Sequence, residues 1–228
     1  MGKRRPSSSR WLQEHHNDPY VLRARREGYR SRAAFKLLEM TEHPFAGLHG
    51  RLLGPGMTVV DLGAAPGGWS QVAVGLVGAT GRVVAMDLLP MPPLTGVNFI
   101  QGDFLGEEGL QHLNTVLSPE RQVDVVLSDM APNMTGIEAI DQTRGELLAE
   151  AAHDFACTVL AQGGNLVVKL FQGPGFHDTV RRARQDFFRV KVVKPQASRN
   201  RSAEQYLVGV GFRGQPRIQV TSSDDGKP

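Results

Sequence analysis

The sequence predicts an α/β protein with a doubly wound, mostly parallel sheet of seven strands, on three observations. Short apolar, β-branched runs alternate with helical stretches. The first of these runs, Met57 to Val60, passes into Asp61-Leu62-Gly63-Ala64-Ala65-Pro66-Gly67-Gly68-Trp69-Ser70-Gln71, a carboxylate and a glycine turn that open a helix. Acidic residues also follow the next two runs, as expected where a pocket forms at the carboxyl ends of parallel strands.

In chain order, Val21 to Glu42 places Ala33, Ala34, Leu37, Leu38 and Met40 among charges. That spacing predicts a helix, interrupted at Gly28, with Lys36 in its later turns. Pro55 and Gly56 open the sheet. Strands are expected at Thr58 to Leu62, Arg82 to Met86, Val97 to Ile100, Val123 to Ser128 and Asn165 to Leu170. After Gly175 a helical stretch leads to Phe187 to Val193, and a basic connection leads to Gln205 to Val210. These last two runs are expected to pair antiparallel at an edge. Residues 1–18 read as a basic, flexible arm, 19–213 as one catalytic domain, and 214–228 as a disordered tail rich in Gly, Ser, Asp and Pro.

The net charge of +3 conceals an uneven distribution. Residues 1–32 hold nine Lys or Arg against three acids, and Arg181 to Arg201 holds eight against Asp186 alone. Two basic patches on a mildly acidic body predict contact with a nucleic-acid backbone. The single cysteine, Cys157, excludes an intramolecular disulfide and suits a reducing cytosol. It reads as a small packing residue in the apolar helical stretch Ala151 to Leu160. The seven histidines show no ligand spacing, so no metal is expected. No apolar run approaches the roughly 20 residues of a membrane span, and the N-terminus lacks a signal-peptide core. A soluble, cytoplasmic, monomeric protein is the expectation.

The Asp61 loop departs from phosphate-binding turns. Phosphate cradles need free backbone N–H groups at a helix N-terminus, yet Pro66 removes one donor and Asp61 sets a negative charge nearby. The loop suits a cationic nucleoside, and S-adenosyl-L-methionine, with its ammonium and sulfonium, fits that description. Asp87, after the second strand and 24 residues beyond Gly63, is placed to bind ribose hydroxyls. Asp103, in Gln101-Gly102-Asp103-Phe104, is expected to accept from an adenine amino group while Phe104 covers the ring. Gly67 permits close backbone approach, and Trp69 is expected to wall the methionine moiety. An Asp after a strand is commonly a turn former or cap; three in succession argue for a pocket.

The fourth strand delivers Asp129 within Ser128-Asp129-Met130-Ala131-Pro132-Asn133, at the rim where cofactor and substrate would meet. The fifth carries Lys169 in an otherwise apolar run, and buried lysine is costly without a partner. Asp129, on the adjacent strand end, is the expected partner. Taken alone, Lys36 is an ordinary helix lysine and Glu204 an ordinary surface acid.

From about Ser7 to about Val210 the chain resembles the FtsJ-like 2′-O-ribose RNA methyltransferases, within them the bacterial kind acting on a uridine of large-subunit ribosomal RNA. The resemblance rests on Ser8-Ser9-Arg10-Trp11-Leu12, Arg30-Ser31-Arg32-Ala33-Ala34-Phe35-Lys36-Leu37, the Asp61 loop, Asp87-Leu88-Leu89-Pro90-Met91, Gln101 to Phe104, Ser128 to Asn133 and Val168-Lys169. It implies a Rossmann-like methyltransferase sheet with an antiparallel edge strand and an N-terminal basic helical extension. It further implies S-adenosyl-L-methionine as cofactor, the large ribosomal subunit as partner, and a Lys-Asp-Lys-Glu catalytic tetrad, whose matching positions are Lys36, Asp129, Lys169 and Glu204. The connection Thr41 to Gly54 and the C-terminal tail inherit no role.

Rival readings are a ribose methyltransferase of transfer RNA or a messenger-RNA cap, an NAD-dependent oxidoreductase, and a ribosome-assembly factor with a vestigial pocket. A cap enzyme needs an aromatic cradle, and the chain has two Trp and three Tyr. The Asp61 loop lacks the Gly-x-Gly-x-x-Gly of dinucleotide folds. An intact tetrad argues against a vestigial pocket.

Overall fold

A computed structural model of the chain describes residues 18–42, 51–117, 122–199 and 202–214. The expectations for the N-terminal arm, apart from Asp18, and for the tail beyond Gly214 lie outside these residues. The elements are α1 (Pro19–Glu27), α2 (Ala33–Glu42), β1 (Thr58–Leu62), α3 (Gly68–Val77), β2 (Arg82–Asp87), β3 (Val97–Gln101), α4 (Glu107–Leu117), β4 (Val123–Ser128), α5 (Glu138–Val159), β5 (Leu160–Phe171), α6 (Phe176–Asp186), β6 (Phe187–Val193) and β7 (Glu204–Phe212). One sheet orders the strands β3-β2-β1-β4-β5-β7-β6. The first five pair in parallel, and β7 runs antiparallel to both β5 and β6. The reversed strand therefore lies one position in from the edge, which β6 forms.

The helical stretch expected over 21–42, with its interruption at Gly28, is two helices. Asp18 caps the first, its carboxylate accepting from the amides of Tyr20 and Val21, and Pro19 occupies a first-turn position that needs no N–H. Gly28 ends it at φ 75°, its amide bonding Ala24 O, the left-handed termination glycine favours. Strand β5 begins five residues before the expected Asn165, because Leu160 pairs with Val123 ahead of a register shift. That irregular start, through Gly163 and Gly164, carries no alternating pattern to read.

The central strands β1 and β4 read as continuous apolar runs because both faces are covered. One face packs Val60, Leu62, Val126, Leu166 and Val168 against α4, α5 and α6 through Leu113, Phe155 and Ala183. The other packs Val59, Leu127, Val167, Tyr206 and Val208 against α2 and α3 through Leu37, Trp69 and Val72. Cys157 packs against the first of these cores. Burial, then Asp186 and Asp154, push its thiol up to about 12, so without a ligand it stays protonated at neutral pH.

Two chain crossings meet where β1 ends. Gly63 has φ 75°, and a Cβ there would lie 2.8 Å from Met130 Cγ and 2.9 Å from Met130 Cα and N. Gly63→Ala therefore combines left-handed backbone, about 1–2 kcal/mol, with overpacking of about 1–3 kcal/mol. The expected result is a lower urea midpoint at unchanged slope; a midpoint within error of wild type would show that Met130 moves freely.

Candidate active site

The β5–β7 register builds the centre of the site. Lys169 stands opposite Tyr206 and Phe171 opposite Glu204, and opposed residues on antiparallel strands share a face. Glu204 and Tyr206, two apart on β7, share it as well. Asp129 follows β4 and is held by its amide bonding Leu62 O at 3.1 Å. Lys36 arrives from α2, which Trp69 anchors by donating Nε1–H to Ala33 O at 2.8 Å.

These elements bring the four tetrad positions together. Lys169 Nζ lies 2.7 Å from Asp129 Oδ1 and 2.9 Å from the Asp129 carbonyl oxygen. Lys36 Nζ lies 2.7 Å from Glu204 Oε1. A fifth residue joins the two pairs: the Tyr206 hydroxyl donates to Asp129 Oδ1 at 2.7 Å and accepts from Lys36 Nζ at 3.0 Å. Both lysines are 8 % exposed, so each depends on its carboxylate partner. Burial pushes the Asp129 carboxyl up, but Lys169 and Lys36 outweigh it and hold the group below the usual range. Burial, then Asp129 and Glu204, raise the Tyr206 phenol well above its ordinary value. Tyr206 is thus a neutral donor that fixes Asp129 and Lys36 relative to each other. Tyr206 was not among the residues expected at the site; its only signal in the sequence is its place two residues after Glu204 on a strand.

Asp61 is wholly buried, with Oδ2 accepting from Ser70 Oγ at 2.6 Å and Oδ1 without a partner. Burial, assisted by Asp129 and Asp87 and opposed by the Ser70 hydrogen bond, raises its carboxyl to about 7. The adjoining loop contains a cis Ala65-Pro66 bond and turns at Gly67, φ 108°. A Cβ on Gly67 would meet Met91 Sδ at 2.9 Å and Arg30 Cδ at 3.0 Å. Asp87 at the end of β2 accepts from the Ala65 amide through Oδ2 and the Leu89 amide through Oδ1, each at 2.8 Å. Exposed Asp103 accepts from the Leu105 amide at 2.9 Å.

Two expected pocket residues lie largely in the core. Trp69 is 2 % exposed and tilts against Tyr206 at a centroid distance of 5.6 Å. It is a strut between α2 and α3. The Phe104 ring packs edge-on against Phe155 in the core. Both placements have one cause: a large ring beside a glycine-rich turn finds its apolar burial beneath the loop.

Some of the basic residues also serve the fold. Arg30 donates to Pro92 O at 2.7 Å, Pro93 O at 2.6 Å and Pro66 O at 3.4 Å, tying the Asp61 loop to the chain after β2. Arg32 bonds Asp18 and the Ala197 carbonyl. Arg182 pairs with Asp154, and Arg181 with Asp178. Arg25 and Arg26 on α1 and Arg189 and Lys191 on β6 remain at the surface. Beside the tetrad, a cleft of about 280 Å³ is lined by Met134, Gly136, Glu138, Phe171, Gln172 and Ala203, among others.

A largely parallel sheet with Asp61 near the end of β1, a glycine turn after it, and a Lys-Asp-Lys-Glu array gathered by β4, β5, β7 and α2 is the architecture of an α/β methyltransferase. Residues 29–212 match the FtsJ-like methyltransferase model, and the chain belongs to that family. The chain is 60 % identical over 215 residues to "Ribosomal RNA large subunit methyltransferase E" of Magnetococcus marinus, covering 94 % of this chain and 100 % of that one. It is 55 % identical over 210 residues to the protein of the same name from Alkalilimnicola ehrlichii, covering 92 % and 97 %. A Plasmodium falciparum crystal structure described as a ribosomal RNA methyltransferase superposes with a TM-score of 0.69 at 25 % identity, covering 82 % of this chain and all of that one. Among the described residues, no helix is long and apolar enough to cross a membrane.

Proposed function

We propose that the protein transfers the methyl group of S-adenosyl-L-methionine to the 2′-hydroxyl of a uridine ribose in 23S ribosomal RNA, acting on the assembled large subunit. The observation that carries this reading is the array joining Lys36, Glu204, Tyr206, Asp129 and Lys169, set at strand ends beside the Asp61 loop. The relatives named as large-subunit ribosomal RNA methyltransferases support the substrate class.

The residues present fit the cofactor. The buried Asp61 oxygen without a partner supplies negative potential toward a cationic ligand, and Gly67, where a Cβ would collide with Met91 and Arg30, keeps the turn beside it tight. Asp87 would hold the ribose hydroxyls, with its backbone hydrogen bonds fixing the carboxylate, and Asp103 would accept from the adenine amino group. The Asp61 loop, with Gly63 and Pro66, shapes the remaining wall. Bound S-adenosyl-L-methionine supplies an activated methyl group. The chain's own residues must align the ribose hydroxyl and manage its proton. An ammonium has three donors; Lys169 directs two at Asp129, and the third site faces substrate as cationic stabiliser of the developing alkoxide or, deprotonated, as acceptor of its proton. Asp129 and Glu204 hold the two lysines, and the cleft beside Ala203 admits the nucleoside.

Large subunits isolated from cells lacking the enzyme, incubated with the protein and labelled S-adenosyl-L-methionine, should gain label at one uridine ribose. Label on a base, or none on any ribosomal RNA, would refute the reading.

Asp61 also sets a pH dependence. Its folded-state pKa is raised, so its burial costs nothing below the unfolded value near 3.9 and progressively more as pH rises toward about 7. Above that it is ionised and attracts the cationic cofactor. Cofactor affinity is expected to rise with pH through about 7. Asp61→Asn should flatten that rise, weaken binding roughly tenfold at pH 8, and raise the melting temperature of the free protein more at pH 8 than at pH 5. Calorimetric titration and thermal scans at both pH values check this; a profile equally steep in the variant removes Asp61 as its source.

A further inference from the structure

On α5, His153 and Cys157 stand one helical turn apart, a ligand spacing that the scatter of the seven histidines hides in the sequence. Asp186, the last residue of α6, joins them. His153 Nε2 lies 3.1 Å from Asp186 Oδ2 and 3.9 Å from Cys157 Sγ, and the three donor atoms lie within 4.8 Å of one another. His153 is 3 % exposed, with Phe187 edge-on to its ring. Its other nitrogen, Nδ1, is 3.5 Å from Asp154 Oδ1, which Arg182 holds at 2.7 Å.

We propose that His153, Cys157 and Asp186 form a zinc site, with water as the fourth ligand. Imidazole, thiolate and carboxylate together are a borderline-soft donor set that suits Zn²⁺. Tetrahedral zinc, with bonds of about 2.0–2.3 Å, sets its nitrogen and sulfur donors about 3.6 Å apart and its nitrogen and oxygen donors about 3.4 Å apart. The observed gaps bracket those values. Asp186 is partly exposed and free to swing toward the sulfur. Asp154, beside the second ring nitrogen, supplies the outer carboxylate that ligating histidines commonly use to fix the ring. Zinc binding would displace the Cys157 proton to solvent, leaving a neutral centre from Zn²⁺, thiolate and carboxylate.

The site is remote from the tetrad. Helices of a parallel α/β sheet run against its strands, so the C-terminal parts of α5 and α6 lie at the end away from the strand carboxyl ends. Its role is to clasp α5 to the α6–β6 junction.

The full chain, stripped by chelator and titrated with Zn²⁺ against a chromophoric competitor, should bind one equivalent tightly, and zinc should raise its thermal midpoint. Co²⁺ should give a thiolate charge-transfer band. Cys157→Ser should abolish the band and weaken zinc binding by more than about 100-fold, and Asp154→Asn should weaken it about 10-fold. A His15→Ala/His16→Ala chain should bind as wild type. Retained methyl transfer in Cys157→Ser verifies its fold; if that variant does not fold, Asp186→Asn takes its place and should lose the zinc-induced thermal shift. No equivalent held against the competitor, unchanged affinity in Cys157→Ser or in its replacement, or loss of binding on changing His15 and His16 would each overturn the proposal.

Discussion

Lys169→Ala is expected to lower the rate of methyl transfer by at least about 10²–10⁴-fold, the range attributed to a positioned acid–base group, while cofactor affinity stays within a few-fold. The reason is geometric. Lys169 bonds Asp129, and among the described residues no hydrogen bond or ion pair ties it to the Asp61 loop, so on the proposed reading its removal takes away the group that meets the hydroxyl and leaves the cofactor cradle in place. Alignment of donor and acceptor, which contributes about 7–11 kcal/mol, survives in part. Single-turnover rates and calorimetric cofactor titration on one preparation test this, and parallel losses in both would reject the assignment. Lys169→Arg separates the two roles, since arginine stays protonated: substantial activity in it would eliminate a required base and leave the cationic role.

Asp129→Asn is expected to damage both stability and catalysis. Asp129 is the only carboxylate that Lys169 touches among the described residues, whereas Lys36 keeps Glu204. The variant strands one buried ammonium, and breaking such a pair costs about 3–5 kcal/mol. With the side chain of Asp129 17 % exposed, the lower end is expected, about 3 kcal/mol. The sign of the pH dependence follows from the lowered carboxyl of Asp129. Its stabilisation is present above the unfolded value near 3.9 and is lost as pH falls through the lower folded value. The gap between wild type and Asp129→Asn in urea unfolding should therefore be widest near neutrality and close below about pH 4. A gap independent of pH would mean that the asparagine acts through shape alone.

Strand placement was legible because β1 and β4 are covered on both faces and so appear as uninterrupted apolar runs. The acids at strand ends were legible for the same reason, since each run closes on a polar residue. Lys36 and Glu204 were not, because an amphipathic helix and an edge segment both carry charges by default; the family resemblance supplied them. Tyr206 escaped because its role depends on lying opposite Lys169 across β5 and β7, and pairing register is not written in either strand alone. Trp69 and Phe104 were assigned to the pocket by proximity in sequence, but the side of the backbone on which each ring buries is decided by the helices above and below.

The last strand to leave the ribosome, β7, is also an interior strand, wedged between two that precede it. A nascent chain that has emitted Lys36, Asp129 and Lys169 still holds two unclosed strand borders and a lysine on α2 awaiting its counter-ion. The array can close only when β7 is in place, because Glu204 and Tyr206 both lie on it. A chain stopped ahead of Glu204 is therefore expected to show no methyl transfer and to leave the border of β5 uncovered.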